Sequence, residues 1–203
     1  MAWLHQERFG NTNAVISPNF CAPHPFQLSL KKKHYFFRSQ EYEVKDDTYG
    51  RFLFKVKRIN SFFSSKVVIY DAVQNPIVTL RPKANSRRSR WQVFRGESKA
   101  NTDIIFSARL SSFFQFNRNL DVFLRNNIAE KICDFKIKAS NSANKCDIYG
   151  SSSLLIAQMK RKGILRTHFM MSVNPNVDYA FIVALIVILD EIAIQIERLK
   201  FLL

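Results

Sequence analysis

Apolar and polar positions alternate along most of this chain, and the alternation breaks once, near the C-terminus. Phe52, Phe54 and Val56 interleave with Arg51, Lys55 and Lys57. That period of two predicts a strand with one buried face and one basic, solvated face. From about residue 40 onward the pattern is β, and three stretches repeat strand, polar turn, strand. The first is Lys66–Tyr70, a turn through Asp71 to Pro76, then Ile77–Leu80. The second is Val122–Leu124, a turn at Asn126 and Asn127, then Lys131–Lys138 with Cys133, Phe135 and Ile137 on one face. The third is Cys146–Tyr149, a turn at Gly150–Ser153, then Leu154–Met159. Hairpins at such short spacing build a sheet from sequence neighbours, hence a sandwich or barrel. Closure into a barrel removes the exposed edges that so many strands would otherwise carry.

The break comes at Tyr179–Leu189, an apolar run without period, bracketed by Asp178 and Asp190. Asn176 or Asp178, following Pro175, can cap a helix start. A helix apolar on every side must be surrounded by protein or by lipid. Its eleven residues reach about 16 Å, roughly half of a hydrocarbon core near 30 Å. Extending the span to Ile196 would put Asp190 and Glu191 inside the bilayer, at about 2.5–3.5 kcal/mol for an acid near its centre. The run therefore predicts a protein-buried helix near residues 177–190, threaded through a β-barrel. The apolar tail 192–203 keeps a membrane anchor as the alternative.

Composition sets the frame without changing it. At 203 residues the chain is about one domain long and needs no disulfides to hold a core. Residues 1–19 are polar and unperiodic and read as a flexible arm, and Pro23 and Pro25 then hold the entry segment extended. Cys21, Cys133 and Cys146 are an odd set without a Cys-x-x-Cys spacing, which predicts reduced thiols in a cytosolic or nuclear protein. The N-terminus lacks the apolar core of a signal peptide, so secretion is not expected.

Several ordered stretches resemble the LURP-one-related family of plants. They are Phe20-Cys21-Ala22-Pro23-His24-Pro25, Leu53–Lys57, Trp91–Gly96, Leu120–Leu124, Cys133–Lys138, Ala157–Lys162 and, most specifically, Pro175–Ile182 continuing to Asp190. Together they span roughly residues 20–191. The resemblance implies the tubby C-terminal-like fold shared with phospholipid scramblases. In that fold about twelve antiparallel strands close into a mostly β barrel around a central hydrophobic C-terminal helix. Two departures qualify it. The stretch from Lys162 to Val173 is short, which leaves the last strand's completeness open. The tail 192–203 is unusually apolar and is expected to pack outside the barrel or on a membrane.

No catalytic constellation stands out. His5, His24, His34 and His168 are scattered, no Gly-x-Ser-x-Gly elbow or phosphate loop occurs, and Cys133 and Cys146 lack companion ligands for zinc. Asp46-Asp47, before Tyr49-Gly50, reads as a turn rather than an acid–base pair. A non-enzymatic protein without cofactor or metal is expected, and no acidic loop of EF-hand type is present to hold calcium.

The charge is more informative. Lys and Arg number 31 against 16 Asp and Glu, a formal +15, which favours acidic partners. Arg81, Lys83, Arg87, Arg88 and Arg90 fall within ten residues without an acid, in a stretch that reads as a loop. Lys160, Arg161 and Lys162 form a second cluster and Lys31–Lys33 a third. Arg offers a planar fork for phosphate and Lys a point charge, so the first two clusters are candidate headgroup sites for anionic phospholipid, phosphoinositide among them. Nucleic acid is the rival partner, disfavoured because the aromatics alternate inward and no recognition helix or RNA-binding signature is visible. A protein-interaction or structural barrel without lipid affinity is the remaining alternative. The expected setting is cytoplasmic, peripheral at membranes or nuclear, and the family resemblance implies binding or signalling work linked to pathogen defence. The default oligomeric state is a monomer.

Overall fold

The structure, a computed structural model, describes residues 14–34, 40–60, 65–84, 86, 89–112, 118–140, 144–150, 152–162 and 167–200. Twelve strands precede one helix: β1 (Phe26–His34), β2 (Gln40–Asp46), β3 (Phe52–Asn60), β4 (Ser65–Tyr70), β5 (Pro76–Pro82) and β6 (Arg90–Arg95). There follow β7 (Ile104–Leu110), β8 (Leu120–Leu124), β9 (Phe135–Ala139), β10 (Lys145–Tyr149), β11 (Leu155–Lys162), β12 (His168–Val173) and α1 (Tyr179–Lys200). Every strand pairs antiparallel with its sequence neighbours, and β12 returns to β1 to close the barrel. The short stretch before Val173 does not cost the last strand. β12 pairs over six positions with β1, from Phe26–Val173 to Lys31–His168, and equally with β11.

The strands close because each presents an apolar row inward. Leu28 and Leu30, Tyr42 and Val44, Phe54 and Val56, Trp91 and Val93, Ile137, Ile148, Phe169 and Met171 are all buried in one core. Their common target is α1, whose residues from Ala180 to Leu189 are buried on every side. Phe181 is held edge-on by Phe106, with centroids 5.0 Å apart, and at a tilt by Phe135 at 4.8 Å. A run apolar on every side needs such surroundings. Residues 179–197 have the mean hydropathy, 2.2, of a membrane span, yet 83% of that window is buried inside the barrel.

The helix runs further than its apolar run suggests. It has 22 residues, about 33 Å at the usual rise, and continues past Asp190 and Glu191 with Ile192, Ala193 and Ile196 still buried. Within the described residues there is accordingly no separate tail beginning at residue 192. The arm also departs from expectation: residues 1–13 lie outside those described, but Val15, Ile16 and Ser17 donate their backbone N–H groups to Asp178 Oδ2 at 3.2, 2.7 and 3.0 Å. Asp178 Oδ1 accepts from Phe181 N at 3.0 Å. One carboxylate thus caps α1 and fastens the chain entry across the barrel mouth. Asp46 and Asp47 lie in the β2–β3 turn, where Asp46 Oδ1 accepts the Thr48 N–H at 2.9 Å and Gly50 takes a positive φ of 67°. On the second predicted hairpin the return strand begins at Phe135, later than Lys131, so Cys133 belongs to the connecting loop.

Candidate functional site

Strand alternation sorts the basic clusters into inward and outward members. On β11, Met159 points inward, so Lys160 and Lys162 are exposed while Arg161 between them turns in over the Phe169 ring, 4.5 Å from its centroid. On β1 the same rule follows Leu28 and Leu30: Lys32 turns in and Lys31 is exposed. Arg58 continues the inward row of Phe54 and Val56 on β3.

The inward bases meet the two acids of α1. Asp190 receives Arg161 Nη2 at 2.5 Å, Lys32 Nζ at 3.1 Å and the Tyr42 hydroxyl at 2.7 Å. Arg58 Nη1 lies 2.9 Å from Glu191 Oε2. Burial and the adjacent Asp190 carboxylate raise the Tyr42 phenol pKa well above its usual range, so it stays a donor. These groups form an ionic plug at the end of the barrel where the helix leaves. Buried charges persist only when paired, and the pairing explains why α1 does not stop at Asp190. Lys32, Tyr42, Arg58 and their acids are residues that sequence reasoning missed as a set.

The predicted Arg81–Arg90 cluster does not form one loop. Arg81 is on β5 and Arg90 opens β6, with Lys83 exposed just beyond the β5 end. Arg87 and Arg88 lie outside the described residues. Arg90 is committed: Nη2 donates to Ser107 Oγ at 2.7 Å, and its guanidinium pairs with Glu130, which also holds Arg109 at 3.0 Å. Nor do the two clusters meet. β5 and β11 are six strand steps apart in either direction round the closed order, so they face away from each other across a barrel roughly 20 Å wide at the usual ~4.8 Å strand spacing.

The larger free charge is on the β11 side. Lys145 stands directly opposite Lys160 across the β10–β11 ladder, and Lys162 opposite His168, which in turn faces Lys31. Lys31, Lys145, Lys160 and Lys162 are all exposed. Among the described residues their ammonium groups make no ion pair or hydrogen bond with a carboxylate. Of the nearby acids, Glu43 stands opposite Lys31 across the β1–β2 ladder but pairs with Lys33, which lowers its carboxyl pKa, and Asp147 accepts from Gln158 at 2.8 Å, so the uncompensated charges are chiefly Lys145, Lys160 and Lys162. Like charges directly opposed on a sheet are destabilising, so an uncompensated patch of this kind carries a folding cost. Among the described residues no group of three metal-ligating side chains gathers.

Comparison with known proteins gives a consistent picture. The family model described as LURP-one-related matches residues 26–190. Protein LURP-one-related 10 of Arabidopsis thaliana is 41% identical over 187 residues, covering 88% of this chain and 96% of that protein. Protein LURP-one-related 15 of the same plant is 40% identical, covering 88% and 85%. An X-ray structure of an Arabidopsis thaliana protein superposes with a TM-score of 0.71 at 36% identity, covering 89% of this chain and 99% of that one.

Proposed function

The chain belongs to the LURP-one-related family, and from that premise we propose that it is a non-enzymatic binding module that attaches peripherally to anionic phospholipid surfaces. The attachment uses the lysine patch on β10, β11 and β1, with Lys83 across the same end of the barrel as a weaker second contact. The observation that carries this reading is the opposed, uncompensated pair Lys145 and Lys160, flanked by Lys31 and Lys162. Near an anionic leaflet each such residue is worth about 1 kcal/mol, so the folding cost of the patch is offset where negative headgroups are dense.

Opposed clusters cannot share one headgroup, but both can touch a planar surface laid against the end where α1 leaves the barrel. Peripheral attachment at a cytoplasmic leaflet fits a signalling role of the kind implied for pathogen defence.

The test is competition. Full-length protein bound to phosphoinositide vesicles should not be displaced by equimolar soluble inositol phosphate, because a surface holds it through several weak contacts. Displacement at equimolar competitor would replace the surface reading with a single headgroup pocket.

A further inference from the structure

At the opposite end of the barrel, beside the start of α1, a cleft of about 320 Å³ opens between the chain entry and the β2–β3 turn. This is near the lower limit of small-molecule sites. Phe26 and Tyr179 form an aromatic wall, with ring centroids 5.0 Å apart, and Phe20 and Phe54 brace Tyr179 at 5.6 and 5.7 Å. Tyr49, 83% exposed, stands on the rim. The polar groups are unequal. Asp46 lines the cleft but is 1% exposed, with Oδ1 taken by the Thr48 and Tyr49 N–H groups at 2.9 and 3.4 Å. Arg51 and His24, both exposed, have no side-chain hydrogen bond or ion pair among the described residues. Burial and the Asp178 carboxylate raise the Cys21 thiol pKa, which keeps that part of the wall uncharged at neutral pH.

We propose that this cleft binds a small planar aromatic acid, its ring against Phe26 and Tyr179 and its carboxylate or phosphate held by Arg51 with help from His24. A cation is the poorer fit, since the one carboxylate lining the cleft is 1% exposed with Oδ1 turned to two backbone N–H groups, and the exposed ionisable groups there, Arg51 and His24, are basic. An inorganic anion would leave the aromatic wall unused. The inference is independent of the lipid reading, because the cleft and the lysine patch occupy opposite ends of the barrel.

The test is a 1H–15N NMR titration of the full chain with benzoate and phenyl phosphate as probes, and with benzamide and inorganic phosphate as controls. At least one aromatic acid should shift the amides of Cys21–Phe26 and Asp46–Arg51 saturably, with benzamide and inorganic phosphate at least tenfold weaker. Arg51→Gln should weaken the acid at least tenfold while leaving the rest of the spectrum unchanged. Reversing Lys145, Lys160 and Lys162 to Glu should leave the titration as it was. The proposal is overturned if neither acid gives saturable shifts in those segments, if benzamide matches the acids, or if Arg51→Gln titrates like the parent.

Discussion

Arg161 Nη2 lies 2.5 Å from Asp190 Oδ1, so the central residue of the Lys160–Lys162 run is spent inside the barrel. Its two neighbours, Lys160 and Lys162, point to solvent. Three consecutive bases therefore do two jobs, and substitution separates them. Removing one member of a buried pair costs about 3–5 kcal/mol. Asp190 keeps Lys32 and Tyr42, so Arg161→Gln should cost about 3 kcal/mol in urea unfolding. Lys160→Gln should stay within about 0.5 kcal/mol, as surface changes usually do. Equal losses for the two would remove the inward and outward assignment.

Asp178 is a further buried acid on which the fold depends. Four backbone N–H groups converge on it, three from the entry segment and one from α1. Asp178→Ala loses a helix cap, worth about 0.5–2 kcal/mol, and strands donors at about 1–3 kcal/mol for each that water cannot reach. A loss of about 3 kcal/mol is expected, with hydrogen exchange of the Ile16 and Ser17 amides accelerated ahead of the barrel strands. Exchange at those amides unchanged from the parent would show that the strap is held by something else.

Cys146 gives the fold an alkaline signature. Burial, chiefly, raises its thiol pKa from the ordinary 9.0 to about 12. A group whose pKa is raised on folding contributes its stability in full below the unfolded value, and that stability is lost as pH climbs toward the folded one. Between about pH 9 and 12 the protein should therefore lose stability, up to about 4 kcal/mol at 1.36 kcal/mol per unit. Cys146→Ala should remove that part of the slope in urea unfolding measured across the range. An identical slope in the variant would assign the alkaline loss to other groups.

How much of this was legible beforehand differs by level. The barrel and its helix were, because a period of two and an aperiodic apolar run are local signals that each admit few arrangements. The inward turn of Lys32 and Arg161 was legible too, by extending Leu28–Leu30 and Met159 two residues along their strands. Their meeting at Asp190 was not, because it depends on which strands become neighbours when β12 closes on β1. The end of the helix is hidden for the same reason: Asp190 and Glu191 read as a stop until their partners on β1, β3 and β11 are in place. Arg81 and Arg90 looked like one loop because neither the end of β5 nor the long-range partner Glu130 leaves a mark in the local sequence. The gap between the two basic clusters, six strands round the barrel, emerges only when every strand between them is counted and the sheet is closed.

The lysine patch makes the central claim measurable. Full-length protein should co-sediment with phosphoinositide-containing vesicles but not with neutral ones, more weakly at physiological than at low salt, since exposed charges are screened. Reversing Lys145, Lys160 and Lys162 to Glu should abolish the association while leaving the fold intact, and Lys83→Glu should weaken it by less than tenfold. Binding to neutral and acidic vesicles alike, or a triple variant that sediments like the parent, would contradict the account.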